Sequence, residues 1–393
     1  MLYSLFHRLH GARTALPHLD VLTPLPRLVG CSDQDAALAT SITGYCAQAL
    51  ALAPTQGRFV SCPTSGYVGD VSLRRGSLRH ATKPRQSKAT GQKTLCGRRL
   101  DPELNNGITG NSMAIIDYKS SLKVLVSVKG HPFQRDEFCS LLSSFDDIAC
   151  TEVEQPANQV FLNPENAADW DALCFYDMPG IDFSEQPPVL IEPSEAMRVG
   201  MLRLLEKGKG MVFLHHALAS WPLWPEYGEI IGGRFFYRPA QCRGETVLDS
   251  GYLHDTEHEI SVLAPQHPVC RGVDSRFSLT DELYLAHAFD DSIIPLLGSN
   301  YDFRWQNFSS AMHAVTGRMY CNDNWPHPDG TPLVGWVKHY KNSPIVYLQP
   351  GDGPSAYADP NYRRLLENAL RWVASDEAMA WARQRNQSDH TLL

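Results

Sequence analysis

The stretch GKGMVFLHHALASWPLWPEYGEIIGGRFFYRP, residues 208–239, carries the decisive reading of this chain. Its Gly210–Leu214 segment (GMVFL) has no polar side chain, the pattern of a strand buried on both faces. Upstream, Pro193–Lys207 places Met197, Met201, Leu204 and Leu205 at helical spacing, and Gly208 suits the C-cap of that helix. A helix handed over to a buried strand within a few residues is one unit of a parallel α/β sheet. The strand ends on His215 and His216, two ionisable groups in succession. On an extended backbone consecutive side chains point to opposite sides, so at most one of the two faces a crevice directly.

The same alternation runs outward in both directions. Leu122–Val128 (LKVLVSV), Ile148–Val153 and Ala172–Tyr176 read as strands, with a helical stretch at Phe133–Ser144. Toward the C-terminus, Leu333–Tyr340 and Ile345–Leu348 read as strands before a closing helix, Asn361–Ala374. Leu365, Leu366, Ala369, Leu370 and Val373 supply that helix with an apolar face. The pattern predicts a mostly parallel sheet with helices on both faces. Residues 235–320 are less regular, and FFYRP, ETVLD and HEISVLA there read as short strands of an insertion or sheet extension.

The net charge of −8 conceals two chemically different pieces. Residues 1–112 hold 13 Lys/Arg against 6 Asp/Glu, whereas residues 113–393 hold 22 against 37. The first piece, apart from a short helical pattern near Asp33–Leu52, is rich in Ser, Thr, Gly and basic residues. It cannot bury enough apolar surface to offset its ordering entropy, so it reads as a disordered basic extension. Met113 stands just before the first strand, and the functional body is expected to start there. The larger piece is acidic, which argues against nucleic acid and anionic membranes as partners. No apolar run reaches the ~20 residues of a membrane span. The cysteines form no C-x-x-C and sit largely in apolar runs, as reduced core thiols of a cytoplasmic protein do.

Ligands of an open parallel sheet bind beyond the carboxyl ends of its strands. That rule selects Gly130-His131-Pro132, Tyr176-Asp177-Met178-Pro179, His215-His216 and the turn Gln349–Pro354 (QPGDGP). Trp221, Trp224 and Tyr227 follow the His-His turn and offer either a sugar-stacking face or core packing. His254-Asp255-Thr256-Glu257-His258 lacks the order of a helical zinc motif and is discounted as a metal pair.

These residues carry a family resemblance. The run 208–239, with a Gly-flanked strand, a His-containing turn and a helix ending in Gly-Gly, resembles the ThuA-like (trehalose-utilisation) branch of the class I glutamine amidotransferase-like superfamily. His267-Pro268-Val269 followed by Asp281-Glu282-Leu283-Tyr284, and Pro332–Tyr340 followed by Ile345–Pro354, resemble further family motifs. The resemblance covers 113–393 and implies a three-layer, flavodoxin-like α/β fold. Many relatives carry Gly-His where this chain has Gly351-Asp352. The strand-to-helix turn that holds a Cys nucleophile in true amidotransferases reads Leu214-His215-His216-Ala217 here, which excludes thiolate amidotransferase chemistry.

The resemblance implies a carbohydrate-processing enzyme acting on a (keto-)disaccharide or related sugar. His215 or His216 would serve as base with Asp352 or Glu282 as partner. His131, Asp177, Trp221, Tyr227 and Asp281 would bind substrate. No organic cofactor is implied; a divalent metal is left open, as is a homo-oligomer. The alternative is a non-catalytic carbohydrate-binding or regulatory domain.

Overall fold

The computed structural model describes residues 120–391. The expected basic extension 1–112, and its helical pattern near Asp33–Leu52, lie outside the described residues. Strands β1 (Leu122–Lys129), β2 (Ile148–Glu154), β3 (Ala172–Asp177) and β4 (Gly210–Leu214) alternate with helices α1 (Arg135–Ser143) and α2 (Glu195–Lys207). Helix α3 (Pro225–Ile231) follows β4. Three long strands come next: β5 (Gly251–Val262), β6 (Arg276–Leu285) and β7 (Ile294–Ser299). Strands β8 (Leu333–Tyr340) and β9 (Ser343–Leu348) and helices α4 (Pro354–Ala358), α5 (Pro360–Val373) and α6 (Asp376–Thr391) complete the chain.

The principal sheet has the order β6-β5-β7-β8-β9-β4-β3-β1-β2. Its β9-β4-β3-β1-β2 half is parallel, and its β6-β5-β7-β8 half pairs antiparallel. The two halves meet at the antiparallel β8–β9 pair. Every residue of β3, β4 and β9 is buried, because helices cover both faces there. Alternate residues feed two cores. Val124, Val126 and Val128 pack with Phe138 of α1 and Leu366 and Leu370 of α5. Leu125, Phe175 and Phe213 pack on the other face with Met201 of α2 and Ile230 of α3. This is the expected three-layer α/β architecture, with a mixed sheet whose parallel half is covered by helices on both faces.

Local signals behave as the residue types require. Ser194 caps α2, its Oγ accepting from Met197 N–H, and Gly208 ends the helix at φ +88°. Helix α3 ends on the expected Gly232-Gly233 pair. The reading of 235–320 holds in part: ETVLD contributes a short strand, Glu245–Val247, whereas FFYRP forms no strand and the HEISV of HEISVLA ends a 12-residue strand. Strands β5 to β7 form the expected sheet extension, as one antiparallel wing. Among the described residues no helix is long and apolar enough to cross a membrane.

Candidate functional site

The parallel half of the sheet brings three turns together at its carboxyl edge. The first is Gly130-His131 after β1. Gly130 has φ +95°, and a Cβ there would collide with the Met178 carbonyl, so only glycine permits this approach to the β3 turn. The second is a 3-10 turn, His215–Ala219, directly after β4. His215 itself has φ +42°, an uncommon value for a non-glycine residue that turns its ring out of the strand's alternation. The third is Gly351-Asp352 after β9. Gly351 has φ +122°, and a Cβ would run into the Tyr362 hydroxyl.

His215 is completely buried and uses both ring nitrogens. Nδ1 lies 2.6 Å from the Gln349 carbonyl, which can only accept, so Nδ1 carries a proton. Nε2 lies 2.9 Å from Glu282 Oε2, 2.9 Å from the Tyr284 hydroxyl and 3.4 Å from Asp352 Oδ1. Burial opposes protonation of this imidazole, but the hydrogen bonds to Asp352 and Glu282 outweigh it and hold its pKa well above the ordinary histidine range. Burial likewise pushes the Asp352 carboxyl up, yet His215 first, then His131 and His216, bring it well below the usual carboxylate range.

Glu282 bridges a second imidazole. His254 Nδ1 stands 3.3 Å from Glu282 Oε1. The result is an alternating array, His254–Glu282–His215–Asp352. Its ends are partly open, with side-chain exposures of 34% for His254 and 31% for Asp352, while Glu282 (5%) and His215 (0%) are enclosed. His254 reaches this position because the β5–β6 register shifts between Leu253 and Thr256, and such a bulge re-aims a side chain. His258, four residues on, instead bonds Ser299 Oγ at 2.9 Å.

The supporting groups are well satisfied. Asp281 accepts the N–H groups of Gly351 (2.7 Å) and Asp352 (3.1 Å), clamping the turn that carries Asp352. Burial pushes the Asp281 carboxyl up to about 6. Tyr176 and Tyr357 both donate to the Asp352 carbonyl, at 3.0 and 3.1 Å. Tyr347 holds the His215 carbonyl at 3.1 Å. Gln349 links the ends of β6 and β9 by accepting the Tyr284 N–H at 3.0 Å.

His216 is different. It is fully buried, and neither ring nitrogen has a hydrogen-bond partner. Its ring stands 4.8 Å from that of His131 and 4.4 Å from that of Tyr176. Burial above all, then His131 and His215, lowers its pKa well below the ordinary value and keeps it neutral. Among the described residues, two sets of side chains present donor atoms within 4.8 Å of one another: His131, His216 and Asp352, and His215, Glu282 and Asp352.

The structure therefore brings together His131, His215, His216, Asp281, Glu282 and Asp352 from the residues expected at the site. It leaves the other three out of this cluster. Asp177 is buried at the end of β3, accepting from Gln155 (2.7 Å) and Asn158 (3.1 Å). Burial pushes its carboxyl up to about 7. Trp221 and Tyr227 are packed in the second core with Trp224, and Arg234 donates to the carbonyls of Trp221, Pro222, Trp224 and Pro225. His254 and Tyr284 are the members that sequence reasoning missed as site residues. Tyr284 could have been found, since it follows Glu282 at the two-residue spacing that puts strand neighbours on one face.

A cleft of about 630 Å³ lies elsewhere, between Lys338–Asn342 and the end of α6. Several of its charged groups are already paired, His339 with Asp389, Lys341 with Glu206, and Lys338 with the Glu229 carbonyl. The convergence of unspent donors favours the His-carboxylate cluster as the functional centre.

A family model described as ThuA, trehalose utilisation, matches residues 124–373. Among solved structures, a protein described as ThuA-like from Parabacteroides merdae shares 15% identity at a TM-score of 0.46, over 65% of this chain and 90% of that one. A second, from Bacteroides uniformis, shares 18% identity at a TM-score of 0.44, over 69% and 96%. A Salmonella typhimurium protein described as cytoplasmic shares 10% identity at 0.40, over 64% and 98%. No curated protein matches the sequence.

Proposed function

The chain belongs to the ThuA (trehalose utilisation) family, and on that premise we propose that it is an acid–base enzyme acting on an oxidised (keto) disaccharide or a related sugar. The observation that carries this reading is the array His254–Glu282–His215–Asp352, open at both ends and closed in the middle. Only its ends can touch a substrate. His254 exchanges the proton: it takes a hydrogen from the carbon beside the sugar carbonyl, leaving the electron pair as an enolate. The enolate then collapses to an unsaturated ketone as the C–O bond at its β-carbon breaks, and His254 returns the proton to the leaving oxygen. Imidazole suits that exchange near neutral pH. Glu282 orients the ring and balances the positive charge it acquires. At the other end Asp352 accepts a hydrogen bond from a sugar hydroxyl. Buried His215 is a positioning residue, tying the two carboxylates together. The elbow holds imidazole where an amidotransferase needs a thiol, and burial pushes the Cys150 and Cys270 thiols up to about 12 and about 11.

The test is exchange of the hydrogen beside the carbonyl of 3-keto-trehalose with deuterated solvent, followed by NMR. Exchange by the full chain, reduced about 10²- to 10⁴-fold in His254→Ala, supports the reading. Saturable binding without exchange would overturn it in favour of the carbohydrate-binding alternative.

A further inference from the structure

We propose that His131, His216 and Asp352 bind one divalent transition-metal ion of the zinc class, with a coordination position left open toward solvent. The three donors come from the turns after β1, β4 and β9, and their ligand atoms lie within 4.8 Å of one another. Two imidazoles and one carboxylate, with part of the sphere free, form the donor set of catalytic divalent sites.

His216 supplies the independent sign. A buried imidazole with neither nitrogen hydrogen-bonded is an unfavourable arrangement unless something else meets its lone pair. His215 is engaged through both nitrogens, Asp281 through two backbone N–H groups and Tyr176 through its hydroxyl. A bound cation gives the His216 lone pair its partner.

His131 is set up in the same way. Its Nδ1 lies 2.9 Å from the Pro132 carbonyl, so the proton belongs on Nδ1 and the Nε2 lone pair is free. Metal-bound histidines commonly donate their other N–H to a carbonyl in this manner. The Asp352 carboxylate is backed at 3.4 Å by His215, which steadies a ligand oxygen from outside the coordination sphere. The second donor set is the weaker candidate, because His215 has no nitrogen to spare. Bonds of about 2.0–2.1 Å to nitrogen and oxygen place the donors of one ion within about 4.2 Å of one another. His131 and Asp352 are half-buried turn residues with room to adjust to that spacing, while His216 is enclosed by its packing.

An ion here would sit at the Asp352 end of the array, where it would take a sugar carbonyl or hydroxyl oxygen as its open ligand, leaving proton exchange to His254. The site rests on its own donor atoms, and binding is measured without any sugar, so loss of the keto-sugar reading would not touch it.

The experiment is titration of the purified full chain, stripped with chelator, with Zn²⁺ by calorimetry and with Co²⁺ by its visible absorption. The expected result is one equivalent bound, with a rise in melting temperature. Binding should weaken at least 10-fold in His131→Ala and in His216→Leu. His216→Leu also separates coordination from folding: it removes two unpartnered buried nitrogens, so its metal-free form should melt no lower than wild type. Absence of binding up to millimolar Zn²⁺ and Co²⁺ would overturn the proposal. So would binding that survives both substitutions unchanged.

Discussion

Replacing Asp177 with Asn should make the protein more stable at pH 8 and flatten its stability profile below neutrality. The carboxyl is fully enclosed; Oδ2 accepts from Gln155 and Asn158, while Oδ1 has no partner. Burial moves its pKa from 3.8 to about 7, against the opposing effect of those two amides. The folded pKa lies above the unfolded one, so the folded state holds the proton more tightly. Stability therefore falls as pH rises from about 4 to about 7 and levels off above that. At 1.36 kcal/mol per pH unit, ionising the carboxyl costs the fold about 4 kcal/mol. An amide at position 177 keeps an oxygen for both hydrogen bonds and carries no charge. Thermal melts of the two proteins from pH 4 to pH 8 measure the difference. At pH 4 they should nearly coincide; at pH 8 the variant should melt roughly 8–16 °C higher, at ~2–4 °C per kcal/mol for a body of this size. Parallel profiles, or a variant less stable at pH 8, would refute the assignment of a buried, strained carboxylate.

Four further substitutions probe the framework of the fold and the site. Gly351→Ala forces a side chain into φ +122° and against the Tyr362 hydroxyl, and should cost about 1–3 kcal/mol in urea denaturation. Adding Tyr362→Phe should recover part of that loss by removing the obstructing oxygen. Arg234→Lys should destabilise by about 3 kcal/mol, because one ammonium cannot serve four carbonyls spread across Trp221–Pro225; an unchanged melting temperature would contradict that role. Ser194→Ala removes the α2 cap and should lower stability by about 1 kcal/mol, read from the denaturant midpoint.

Much of this molecule is legible in one dimension because burial on two faces leaves an unmistakable mark. Residues 122–128, 172–176 and 210–214 are nearly continuous apolar runs, and each became a strand of the parallel half. Met197, Met201, Leu204 and Leu205 recur at helical spacing and form the buried face of α2. The rule that ligands gather at the carboxyl ends of parallel strands then located His131, His215, His216 and Asp352 without coordinates. The antiparallel wing was harder to read for the converse reason. β5 and the first half of β6 are only partly covered, so polar and apolar residues mix along them and no run announces their length.

The sequence by itself determined which strand ends would bring ionisable side chains to one edge of the sheet, since periodicity and burial are properties of local composition. Only the tertiary structure decided which side chains meet there. His215 faces Glu282 because one residue takes a positive φ at the end of β4, and His254 reaches the same carboxylate through a register shift between two strands. Asp177, Trp221 and Tyr227 lie beside the same edge in sequence terms, yet packing turns them inward. A single dihedral or a one-residue slip redirects a side chain completely while leaving the pattern of residue types untouched.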